Sequence, residues 1–67
     1  MKNRGEPDKS DEGYLVEFIR VGNAVKVSAV DPRTNTEVSI VGSPMMSQEM
    51  LTRNAIRKLE YVLNKKG

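Results

Sequence analysis

The chain has no cysteine and no histidine. The first absence removes disulfide staples, thiol nucleophiles and thiolate metal sites together. The second removes the commonest metal ligand and the usual proton shuttle near neutral pH. With 67 residues there is room for one domain, and its core must be a single thin layer of side chains, because small domains bury a smaller fraction of their surface. A chain this short does not enclose a deep pocket. Together these absences argue against independent catalysis, and no enzyme activity, cofactor or metal site is expected. Long apolar runs are missing too. No stretch approaches the roughly 18 residues of a membrane span, and the polar start lacks the apolar centre of a signal peptide. A cytoplasmic location without membrane attachment is the expectation.

What the chain does contain is unevenly charged. The net +2 hides a difference between segments: residues 1–13 sum to −1, residues 14–46 balance, and residues 47–67 carry +3 from Arg53, Arg57, Lys58, Lys65 and Lys66 against Glu49 and Glu60. Residues 1–13, MKNRGEPDKSDEG, hold no aliphatic or aromatic side chain after the first Met. Such a segment buries too little apolar area to offset its ordering entropy, about 1 to 2 kcal/mol per residue for the backbone, so it is expected to be a disordered tail. The folded domain is then 14–67.

From Tyr14 the run YLVEFIRV ends at Gly22-Asn23 and AVKVSAVD follows. Two residues that tolerate positive φ between β-branched and aromatic runs predict a tight hairpin. The turn sets the register. If Val21 faces Ala24, then Phe18 faces Val27 and Val16 faces Ala29, which places Tyr14, Val16, Phe18, Arg20, Val25, Val27 and Ala29 on one side. Arg20 reads as an edge residue whose stem packs on Val25. Asp31-Pro32-Arg33-Thr34-Asn35 is a second turn. Residues 37–42 return as a third strand whose Val38 and Ile40 join the same apolar side. Ser43-Pro44 breaks the strand, and Ser47 caps a helix over about 48–65, with Glu49 in its first turn, Lys65 and Lys66 in its last, and Gly67 as C-cap. Leu51, Ala55, Leu59 and Val62 form its central stripe, flanked by Ile56 and Leu63. Met45, Met46 and Met50 read first as gap fillers at the strand-to-helix connection and second as an adaptable contact surface. The predicted fold is α+β, a three-stranded antiparallel β-meander followed by one C-terminal α-helix packed on one sheet face.

Within this pattern, Val25, Lys26, Val27, Ala29 and Asp31, then Thr34, Glu37, Val38 and Ile40, then Ala55, Lys58 and Leu59 resemble a family of small uncharacterised bacterial proteins. That family carries a V-K-V-x-A-x-D hairpin, a T-x-x-E-V-x-I return strand and an A-x-x-K-L helix. The resemblance implies the β-β-β-α fold and no activity. SQEMLTRNAIRKLEYVL is also similar to the closing helix of double-stranded RNA-binding domains, which implies phosphate contact by that helix. Those domains add an N-terminal helix and carry lysines where this chain has Gln48, Glu49 and Met50.

The sheet face away from the helix is also legible. It carries Leu15, Glu17, Ile19, Val21, Ala24, Lys26, Ser28, Val30, Glu37, Ser39 and Val41, with one Lys against two Glu and no Arg, a poor surface for neutralising phosphates. Leu15, Ile19, Val21, Val30 and Val41 are more apolar surface than a plain wet sheet needs. The function expected is a non-catalytic protein-interaction module, with an unidentified protein or a second copy held by this face or by the third strand's free edge. The alternative is a nucleic-acid-binding module using Arg53, Arg57, Lys58, Lys65 and Lys66 on the outer helix face. Set against it, Glu49 stands four residues before Arg53, and Glu60 lies within reach of Arg57, as on an ordinary solvated helix.

Overall fold

The computed structural model describes residues 8–9 and 13–66. Within them the chain runs β1 (Asp8–Lys9), β2 (Leu15–Val21), β3 (Ala24–Asp31), β4 (Thr36–Gly42) and α1 (Gln48–Lys66). The sheet is antiparallel throughout, in the order β1-β2-β3-β4. The meander of three long strands and its helix are as the hydrophobic pattern predicts. Beside it, Asp8 pairs with Val16 and Lys9 with Leu15, adding a two-residue strand along β2. The remaining residues of the expected tail, 1–7 and 10–12, and the expected C-cap Gly67 lie outside the described residues.

The register follows from the turns. Val21 faces Ala24, Phe18 faces Val27 and Val16 faces Ala29 across the first hairpin, while Val27 faces Ile40 and Ala29 faces Val38 across the second. Gly22 has φ +60° and Asn23 is not among the left-handed residues, so the first turn uses positive φ only at its first central position, where glycine alone enters without strain. The second connection is stitched by Asp31. Its carbonyl accepts the amide of Asn35 at 2.7 Å, and Asn35 stands at φ 63°.

The Asp31 carboxylate is almost fully covered, and three donors meet it: the Arg33 amide at 3.0 Å, the Thr34 hydroxyl at 3.2 Å and the Arg33 guanidinium at 3.5 Å. Burial by itself pushes this acid upward, but the Arg33 amide and guanidinium and the Thr34 hydroxyl outweigh it and hold the group below its ordinary value of 3.8. A depressed folded-state pKa contributes stability that is full above 3.8 and is lost as pH falls through the lower folded value. Asp31→Asn removes that term, so thermal melts between pH 5 and about pH 2 should show the parent losing stability on acidification more steeply than the variant. Parallel acid limbs would show that the turn does not hold the carboxylate.

Beneath the sheet, Val16, Val27, Ala29 and Val38 meet Leu51, Ala55 and Leu59 of the helix, with Tyr14 closing the end. Ser47 caps the helix as expected: its Oγ accepts the Met50 amide at 3.1 Å, and its carbonyl accepts the Leu51 amide at 3.0 Å. The connection before it is held by the Ser43 hydroxyl, which accepts the Met45 amide at 3.0 Å. The helix lies principally across β3 and β4. Phe18, on the side of the sheet expected to pack against the helix, is only half-buried: it stands on β2, at the margin of the core.

Candidate interaction surface

The open face is organised in rows across the strands. Ile19, Lys26 and Val41 form one row, Glu17, Ser28 and Ser39 the next, and Leu15, Val30 and Glu37 the third. The five aliphatic residues expected there do not make one patch. Ile19, Val21 and Val41 cluster toward the first hairpin and are 45%, 55% and 71% exposed. Leu15 and Val30 lie at the other end and are half-buried. Between the ends runs a polar row with an unexpected member: Ser28 is only 6% exposed although it faces away from the helix. Its hydroxyl and that of Ser39 are 3.2 Å apart and hydrogen-bonded. A small residue in the central strand is shaded by the longer side chains around it, a signal present in the register but not in composition.

Next to this row, Leu15, Glu17, Ser28, Val30 and Glu37 line a shallow hollow. It combines an aliphatic floor with two exposed carboxylates. Lys26 stands one row from Glu17, flanked across the sheet by Ile19 and Val41, and makes no ion pair among the described residues. Glu17 thus stands in the central row, with Lys26 in the row on one side of it and Glu37 in the row on the other.

The free edge of β4 is partly closed. Lys58 reaches from the helix and its Nζ donates to the Ser39 carbonyl at 2.9 Å. Alternate residues of an edge strand turn their backbone groups outward, so the outward carbonyl of Ser39 belongs to the set that an added strand would use. A lysine head on it blunts the edge against an added strand.

On the helix, the five basic residues are not a common array. Arg53 is 3.7 Å from Glu49, as the four-residue spacing predicts. Lys65 stands over the ring of Tyr61, 5.6 Å from its centroid. Lys58 is turned to the sheet, the side chain of Lys66 lies outside the described residues, and Arg57 makes no ion pair with Glu60 among them. Glu49, Arg53, Ile56, Arg57 and Glu60 line one groove, in which the two carboxylates offset the two guanidinium groups. Arg20 donates its Nε to the Gly22 carbonyl at 3.1 Å, bracing the hairpin turn rather than facing an anion. No group of three or more acidic residues able to hold a metal ion occurs among the described residues. None of their helices is long and apolar enough to cross a membrane.

A fold of this order, with this hairpin, return strand and capped helix, is matched by one family model over residues 11–66. The match spans both turns, the whole meander and the helix. The chain belongs to the DUF6898 family, a domain of unknown function. Comparison with curated proteins and with solved structures finds no match. The small uncharacterised family expected from the hairpin and helix motifs is thus found. In this DUF6898 domain the elements that carried the resemblance are structural: Val27, Ala29, Val38, Ala55 and Leu59 are buried, and Asp31 ties the second turn.

Proposed function

We propose that this domain is a non-catalytic protein-interaction module whose contact surface is the open face of the sheet. The observation that carries the reading is the exposure of Ile19, Val21 and Val41 on one face at the hairpin end. Single exposed aliphatics are ordinary on protein surfaces, but three at one end of one sheet face, Ile19 and Val21 on β2 and Val41 on β4 with Lys26 between them, form a surface that gains free energy when another protein covers it. The Lys58 contact with the β4 edge supports the face over the edge. The groove of mixed charge on the helix supports the same choice over phosphate binding, which needs several cations acting together.

The test compares surface substitutions on the two sides of the molecule. Val41→Lys and Ile19→Lys should leave the fold intact, because neither side chain meets the helix, yet should abolish association by placing an unpaired charge in an apolar contact. Reversal of Arg53 and Arg57 to Glu should change little. The readouts are molecular mass across concentration and the set of proteins retained by the immobilised domain. A folded Val41→Lys variant with unchanged mass and unchanged capture would remove the sheet face from consideration. Salt-dependent binding of duplex RNA or DNA, lost on reversal of Arg53 and Arg57, would put the helix in its place.

A further inference from the structure

We infer that the protein partner of the open face presents a carboxylate between two apolar side chains on one side of an α-helix, and that Lys26 is the residue that selects it. The inference rests on the sheet-face reading above. Lys26 stands in the middle of the row Ile19, Lys26, Val41, which takes one residue from each of the three long strands. It is the one cation that those strands turn to the open face. Ile19 and Val41 are 45% and 71% exposed, and a protein that covers both also covers the ammonium between them. An ammonium taken out of water without a partner costs enough to cancel the gain from two aliphatic side chains, so the covering surface has to supply an anion at that point. The domain's own candidate is Glu17, a diagonal neighbour one row away, but the two make no ion pair among the described residues. The hydroxyls of Ser28 and Ser39 in that same row bond each other.

Spacing sets the form of the partner. Adjacent strands lie about 4.8 Å apart, so the row calls for an apolar, an acidic and an apolar group at about that interval along a line across the strands. Residues three and four apart on an α-helix follow one another at about 4.5 and about 6 Å along its axis, which brackets the interval. Alternate residues of an extended segment are about 6.6 Å apart and fall out of step within three positions. The pattern that fits is an apolar residue, Asp or Glu three or four positions on, and a second apolar residue at the seventh, all on one side of a helix. A charge pair at the centre of such a contact excludes partners that carry a cation there, so it sets specificity as well as strength.

Selection from a helix library tests this with the full chain. Phage-displayed single helices, randomised along one side, are panned against the immobilised parent and against its Lys26→Glu, Lys26→Met and Val41→Lys variants. Lys26 and Val41 are exposed, so each variant should fold, which circular dichroism checks. Helices enriched by the parent should carry Asp or Glu at the centre of an apolar stripe. Those enriched by Lys26→Glu should carry Lys or Arg there, and those enriched by Lys26→Met an apolar residue. A synthetic peptide of the parent's consensus should lose at least tenfold in affinity on Lys26→Glu, regain it when its central acid is replaced by Lys, and lose its binding on Val41→Lys. Glu17→Gln should leave that affinity unchanged or raise it. A loss on Glu17→Gln would show that Glu17 neutralises Lys26 beneath the partner, and would overturn the inference. Helices whose binding needs Val41 but which lack the central acid, or ignore the substitutions at Lys26, would overturn the inference and keep the sheet face as the contact surface. A library that yields no helix dependent on Val41 would overturn both.

Discussion

Leu59→Ala should unfold most of the protein at room temperature. Leu59 is fully buried in the middle of the helix stripe, in one cluster with Val16, Val27, Ala29, Val38, Leu51 and Ala55. Truncation of a buried leucine costs about 2 to 5 kcal/mol, the transfer free energy of the lost atoms plus that of the cavity left behind. A domain of this size has a core that supplies no more than about 3 to 5 kcal/mol in total. The loss is thus comparable with the whole stability. Chemical denaturation of parent and variant, followed by circular dichroism, measures it. Phe18→Ala, at the margin of the core, should cost less despite the larger side chain, and Val41→Ala on the open face should stay within about 0.5 kcal/mol of the parent. A Leu59→Ala protein that melted within a few degrees of the parent, or less affected than Phe18→Ala, would show that the helix does not centre on β3 and β4.

Gly42→Ala is the second large effect, and it runs against propensity. Alanine in place of a strand glycine ordinarily stabilises by about 0.4 to 1 kcal/mol, because the unfolded chain loses freedom. Gly42 closes β4 with φ outside the left-handed region, so the backbone there suits any residue. Space is what it lacks. A Cβ would collide with Cδ2 of Leu51 and stand 3.4 Å from the Met46 sulfur. Leu51 is itself buried and has little room to withdraw. Overpacking of this kind costs about 1 to 3 kcal/mol, so the steric term outweighs the entropic gain and the variant is destabilised. Leu51→Val gives back the space, and the double variant should therefore lose less than the sum of the two single losses. A rise in melting temperature on Gly42→Ala, or strict additivity with Leu51→Val, would contradict the close approach of the helix start to the end of β4.

Much of the molecule was legible because its signals are local. Gly22 and Asn23 set a two-residue turn, and a two-residue turn leaves one register for the flanking strands, so each pairing on the first hairpin follows from the alternation of side chains. Ser43-Pro44 and Ser47 mark the strand end and the helix start without reference to anything distant. The composition of the open face was legible for the same reason. Its division into an exposed cluster at Ile19, Val21 and Val41 and a hollow at Leu15 and Val30 was not, because exposure depends on the neighbours across the sheet. Ser28 shows the difference: a serine in an alternating strand reads as a wet position, and only its central row covers it.

The sequence by itself determined the order of the three long strands and the helix, the two faces of the sheet and the apolar stripe of the helix, since periods of 2 and 3.6 residues and the chemistry of turns act over a few neighbours. Tertiary structure alone decided which strands the helix covers. An apolar stripe states which side of a helix turns inward, but its position across the sheet is settled by the fit of side chains far apart in the chain. That fit lays the helix on β3 and β4. From it follow the half-exposure of Phe18, the missing side chain at Gly42 beneath Leu51, and the reach of Lys58 to the Ser39 carbonyl, which partly closes one edge of the sheet and leaves its face open.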